Sequence, residues 1–145
     1  MSKAIIVYDS RTGTTRKIAM AIQEGLKDSG IEVTLRKAAK AKTAELKDAD
    51  AVILGSPEYN GEVTAPMKNF LVEMDKTDLE GKLGAAFGSY GWDGAAIEDM
   101  AETMTRVYGM ESAVPTLKVP ERETDLGETR DFARKIAERI QLGGK

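Results

Sequence analysis

Three stretches of this chain are apolar without a break: Ala4-Ile5-Ile6-Val7-Tyr8, Ala51-Val52-Ile53-Leu54 and Leu83 to Phe87. A strand with one wet face alternates apolar and polar residues, so a strand that does not alternate is covered on both faces. The segments that follow them carry a helical period. Ile18, Ile22 and Leu26 recur with Ala21 and Gly25 beside them, and Met67, Phe70, Leu71 and Met74 follow Pro66, which suits a first helical turn. Ile97, Met100, Ala101, Met104 and Tyr108 form a third stripe, with Gly109 near its end.

Two more strands do alternate. Ile31, Val33 and Leu35 are interleaved with Glu32, Thr34 and Arg36, and a fifth strand over Ala113 to Val119 holds Pro115. A short polar helix near Thr43 to Lys47 and a last helix through Phe132, Ala133, Ile136, Ala137 and Ile140 complete the series. Strand followed by helix throughout implies an α/β three-layer sandwich, a parallel sheet with helices on both faces. The alternating strands belong at its edges, which gives the order 2-1-3-4-5; the order 3-2-1-4-5-6 would place Ala51 to Leu54 at an edge. The connection then reverses between strands one and three. A ligand is expected beyond their carboxyl ends, where the chain reads "SRTGTT" and "GSPEYNGEV".

The 145 residues fit a single domain spanning 1–145. A net charge of −3 argues against nucleic acid, and apolar runs of about five residues fall far short of a membrane span or a signal-peptide core, so a cytoplasmic protein is expected. The chain has no cysteine and no histidine. This removes disulfides, thiolate and imidazole metal sites, thiol nucleophiles and imidazole acid–base pairs, and leaves demanding chemistry to a bound cofactor.

A loop that runs from a strand into a helix aims free N–H groups at whatever lies above it, and the helix dipole favours an anion there. In "SRTGTT" the hydroxyls of Ser10, Thr12, Thr14 and Thr15 surround Gly13, a residue that permits close backbone approach. The same pattern also suits Thr12 or Thr14 as a simple helix cap. Nucleoside triphosphatase and dinucleotide fingerprints are missing, and no carboxylate follows strand two to hold a ribose. Strands three and four end in glycine-rich loops that bring Tyr59, Tyr90 and Trp92 to the same rim. Tyr90 suits either ligand contact or cover for the core edge, whereas the single tryptophan, Trp92, suits stacking on a flat ring.

Together these features resemble flavodoxin, specifically the short-chain kind, over essentially the whole length, and they are also similar to the flavodoxin-like domain of flavodiiron proteins. "SRTGTT" matches the T/S-x-T-G-x-T phosphate motif, "GSPEYNGEV" the loop on the inner flavin face and "FGSYGW" the loop on the outer face. The fifth strand lacks the insertion of long-chain members. The resemblance implies an FMN site in which Ser10, Thr12, Gly13, Thr14 and Thr15 hold the phosphate. Ser56, Pro57, Tyr59, Asn60, Gly61 and Glu62 would line the inner side, with Tyr59 as the inner contact and Glu62 facing flavin N3–H. Ser89, Tyr90, Gly91, Trp92 and Asp93 would serve the outer side, with Trp92 as the stacking ring. Arg11 departs from the family pattern and is left outside this set.

The resemblance also implies that the Asn60-Gly61 peptide turns its carbonyl toward flavin N5 when N5 is protonated, in a turn like type II with Asn60 at the positive-φ position. Glu58, Glu62 and Asp93 are then expected to oppose a negative charge on the fully reduced ring. The expected role is a low-potential, single-electron carrier rather than an enzyme. Its partners would be redox proteins: reductases, ferredoxin-dependent enzymes and flavodiiron-type proteins; the acidic rim extended by Glu98, Asp99 and Glu102 suits either steering of a basic partner or an ordinary solvated helix face. The alternatives are an NAD(P)H-dependent FMN or quinone reductase of the same fold, which Trp92 would obstruct, and a phosphoacceptor receiver domain, which "LGSPEY" disfavours for want of an aspartate.

Overall fold

The computed structural model describes residues 2–143. Strand β1 (Lys3–Tyr8) leads into α1 (Thr14–Asp28), then β2 (Glu32–Lys37), a single 3₁₀ turn (Thr43–Leu46) and β3 (Ala51–Tyr59). The two-residue β4 (Glu62–Val63) and α2 (Ala65–Glu73) follow. After β5 (Leu83–Tyr90) and α3 (Ala95–Glu102), the chain forms β6 (Glu111–Ser112), β7 (Leu117–Pro120) and α4 (Gly127–Gly143).

All pairings between neighbours in the main sheet are parallel, in the order β2-β1-β3-β5, with β6 and β7 both on the far side of β5. This is the expected order, with the last position filled by two short strands. Pro115 explains the split. It has no N–H to give a ladder, and the chain leaves β5 after the pair Gly84↔Ser112 and rejoins it at Phe87↔Leu117.

Alternate residues of each central strand feed opposite layers. Ala4, Ile6, Tyr8, Ile53, Ala85 and Phe87 pack under α1 and α4, and Ile5, Val7, Val52, Leu54 and Ala86 pack under α2 and α3. The unbroken apolar runs follow from this double cover. Helices α1 and α4 approach closely because Gly25 has no side chain; a Cβ there would lie 2.8 Å from that of Ala133. No helix among the described residues is long and apolar enough to cross a membrane.

The helix expected to run unbroken through Tyr108 is instead α-helical only to Glu102 and continues as a wider π turn over Thr103–Val107. The extra residue per turn keeps Met104 in the core while the Tyr108 hydroxyl donates to the Leu71 carbonyl on α2. Burial and the nearby Asp75 carboxylate push the Tyr108 phenol above its ordinary pKa.

Strands β3 and β5 carry the site, and two glycines let them pack. Gly55 makes room for the Phe87 ring, while a Cβ on Gly88 would strike the Ser56 carbonyl and lie 2.7 Å from Ile97 Cδ1. A backbone atom cannot step aside as a flexible side chain can. Gly88→Ala should therefore destabilise the fold by about 3 kcal/mol, the upper range for overpacking, read as a lowered midpoint in urea unfolding with unchanged slope.

Candidate functional site

The carboxyl ends of β1, β3 and β5 lie side by side, and the loops leaving them form the candidate site. At the end of β1 the Asp9 N–H donates to the Gly55 carbonyl, fixing the start of the loop to β3. Gly13 adopts φ 99° at the N-cap of α1, with open space where a side chain would stand. Neither Thr12 nor Thr14 caps the helix. Ser10 does so, its Oγ accepting the N–H groups of Gly13 and Arg16 at 3.2 Å each and keeping its own proton free to donate. Among the described residues, the N–H groups of Thr14 and Thr15 and the hydroxyls of Thr12 and Thr14 have no acceptor or donor within the chain.

The first turn of α1 contains no acidic residue and carries Arg16, with Arg11 just outside it; neither arginine forms an ion pair among the described residues. Positive charge at the positive end of a helix is unfavourable on its own and becomes favourable with an anion between them. Thr15 is buried and its hydroxyl shares a 2.8 Å hydrogen bond with Ser89, which ties this loop to the end of β5.

The third strand runs further than its apolar core suggests. Ser56 and Pro57 are buried strand residues, Pro57 paired with Ser89, and the Ser56 hydroxyl donates to the Pro57 carbonyl and accepts the Thr64 N–H. They support the rim from beneath. Beyond them β3 and β4 form a hairpin in which Tyr59 pairs with Glu62 across Asn60 and Gly61. Both central residues have positive φ, 54° and 76°. A two-residue hairpin of the primed type I demands this at both positions and Asn-Gly supplies it, with Asn60 at the positive φ expected of it.

Tyr59 is half-buried, with its hydroxyl buried and unpartnered. The Arg11 guanidinium lies 5.4 Å from its ring centroid, a cation–π contact that joins the first loop to the hairpin. Glu62 is exposed and ion-paired with Lys68 on α2. At the end of β5, Tyr90 is half-buried and packed against the core layer under α2 and α3, while Gly91 and Asp93 are exposed. Asp93 Oδ1 accepts the Ala95 N–H at 2.9 Å and so helps start α3. Trp92 is 88% exposed, a large flat ring held at the rim.

Glu58 behaves otherwise than expected. Its carboxylate is not presented to the rim but is buried and accepts the N–H of Gly94 at 2.9 Å and of Ala96 at 2.7 Å, at the start of α3. Of the three carboxylates expected to face a reduced ring, Glu58 and Asp93 serve the α3 terminus and Glu62 is matched by Lys68. The sequence reading missed Glu58 and Lys68 as site-building residues. The only signal was an acid near the end of a largely apolar strand, in a chain whose third helix starts with only Asp93 and Gly94 to cap it.

Free N–H donors at a helix start, an open glycine, a half-buried tyrosine and an exposed tryptophan at one rim fit a ligand with an anionic end and a flat aromatic end. Comparison with known proteins places the chain in a family. Residues 6–130 match the flavodoxin family. An archaeal flavodoxin structure superposes with a TM-score of 0.90 at 37% identity, covering 96% of this chain and 99% of the other. A flavodoxin of Clostridium saccharobutylicum is 39% identical over 88 residues, 60% of this chain and 55% of that protein. A nitric oxide reductase of Moorella thermoacetica is 33% identical over 145 residues, 96% of this chain but 36% of that protein. The chain spans about a third of the length of the longer curated relatives it matches, 33–36%. From its parallel order, its site loops and these matches, the chain belongs to the flavodoxin family of FMN-binding electron-transfer proteins.

Proposed function

We propose that this chain carries electrons singly and at low potential between redox proteins, with FMN held at the carboxyl ends of β1, β3 and β5. The observation that carries the reading is the meeting of three loops there, one with unpaired N–H groups and two with aromatic rings. Bound FMN supplies one-electron redox chemistry that the side chains of this chain do not.

The chain's own residues divide the binding task. The N–H groups of Thr14 and Thr15, with the hydroxyls of Ser10, Thr12 and Thr14, take the phosphate above Gly13. Tyr59 and Trp92 take the ring system, and backbone groups from Ser89 to Asp93 address its pyrimidine edge. The Asn60-Gly61 peptide lies at the hairpin tip, outside the strand pairs, and its carbonyl would be the acceptor available to a protonated N5 of a bound flavin. Exposed Trp92 keeps an edge of the site open to a partner. Suitable partners are reductases, ferredoxin-dependent enzymes and flavodiiron-type proteins.

The match to a third of longer oxidoreductases favours a second reading, in which the same FMN unit delivers electrons within or to a flavodiiron-type oxidoreductase. Both readings require a carrier, whereas an NAD(P)H-dependent reductase needs space over the flavin that Trp92 takes. NAD(P)H consumption by the purified chain alone, with a quinone as acceptor, would overturn the carrier.

Stepwise reduction followed by visible absorption should show one FMN per chain and two resolved one-electron steps; bleaching in a single two-electron step refutes single-electron carriage. Trp92→Ala should weaken FMN binding tenfold to a hundredfold, about 1–3 kcal/mol for stacking on a flat ring, measured by titration calorimetry of the flavin-free protein.

A further inference from the structure

We propose that Glu58 is a positioning residue that sets the opening between the two ring-bearing loops; the proposal rests on the FMN reading above. Successive side chains of a strand point to opposite faces, so Glu58 turns toward α3 while Tyr59, the next residue, turns toward the face of α1 and Arg11. Glu58 is 7% exposed and its carboxylate spends one oxygen on each of two N–H groups, Gly94 and Ala96. Gly94 lies two residues after Trp92. The bracket therefore spans from the neighbour of one ring to the loop that carries the other.

The local chain cannot replace this bracket. Gly94 is the N-cap of α3 at φ 72°, and a Cβ there would lie 2.7 Å from Lys118 Cδ, so the position admits glycine and offers no capping side chain. Asp93 reaches only the Ala95 N–H. Two buried N–H groups at the start of α3 thus depend on a carboxylate brought from a different strand. Charge-assisted bonds to two fixed backbone donors hold direction as well as distance, and the helix dipole favours the negative charge. The phosphate loop stands apart from this bracket, on β1 and α1, and is joined to β5 through Thr15 and Ser89.

This separation gives the test its signature. In Glu58→Gln the side chain keeps its volume but one acceptor becomes a donor facing an N–H, so the loops lose their fixed spacing. The flavin-free protein and the variant are titrated with FMN and with riboflavin. The expected result is a loss of about tenfold for both ligands, with their ratio preserved and with weaker quenching of Trp92 fluorescence at saturation. Wild-type affinity for both ligands in a variant with unchanged circular dichroism overturns the proposal, and so does a loss confined to FMN. In the wild-type chain the Gly94 and Ala96 amides should exchange slowly with solvent deuterium; rapid exchange overturns the bracket even if no variant folds. Wild-type protein that binds neither flavin overturns the FMN reading itself, an outcome distinct from failure of the variant alone.

Discussion

The site exists because β1 and β3 are neighbours whose chains leave in opposite directions. From β1 the chain turns to α1 on the layer shared with α4, and from β3 it turns to α2 on the layer shared with α3. Among the described residues, no helix covers the point between them. The parallel pairing that buries both faces of these strands leaves their carboxyl ends unroofed, and the loops that run from them meet there.

Buried polar contacts then give those loops fixed places. Ser89 and Thr15 join the first loop to β5, Ser56 holds the hairpin through Thr64, and Glu58 joins the hairpin to α3. Each contact lies below the rim and leaves the rim groups free. Residues that look alike in a motif divide accordingly into buried supports and exposed rim positions. Ser56, Pro57, Thr15 and Ser89 are buried, whereas Thr12, Gly61, Trp92 and Asp93 stand exposed.

Most of the layer architecture was legible because burial on both faces forbids alternation, and that rule identified β1, β3 and β5 and placed the edges. It could not see the end of β3. There Gly55 to Tyr59 mix a glycine, a serine, a proline and a glutamate, yet they remain in the sheet because Phe87 fills the glycine gap and Ser56 and Glu58 find partners inside. The π turn was likewise invisible, since the spacing of Met100, Met104 and Tyr108 is that of an ordinary helix; it accompanies the hydrogen bond from Tyr108 to Leu71, a contact no local pattern reveals. Contacts between elements, such as Arg11 with Tyr59 and Glu62 with Lys68, leave no periodic trace at all.

The divided last strand bears on how copies of this protein behave when crowded. An uninterrupted border of unpaired amides and carbonyls is a template on which a second sheet can grow. Here Pro115 breaks that border into segments of two and four residues, and the opposite border carries Glu32, Arg36 and Lys37. Edge-to-edge pairing of two such sheets is therefore disfavoured on both flanks.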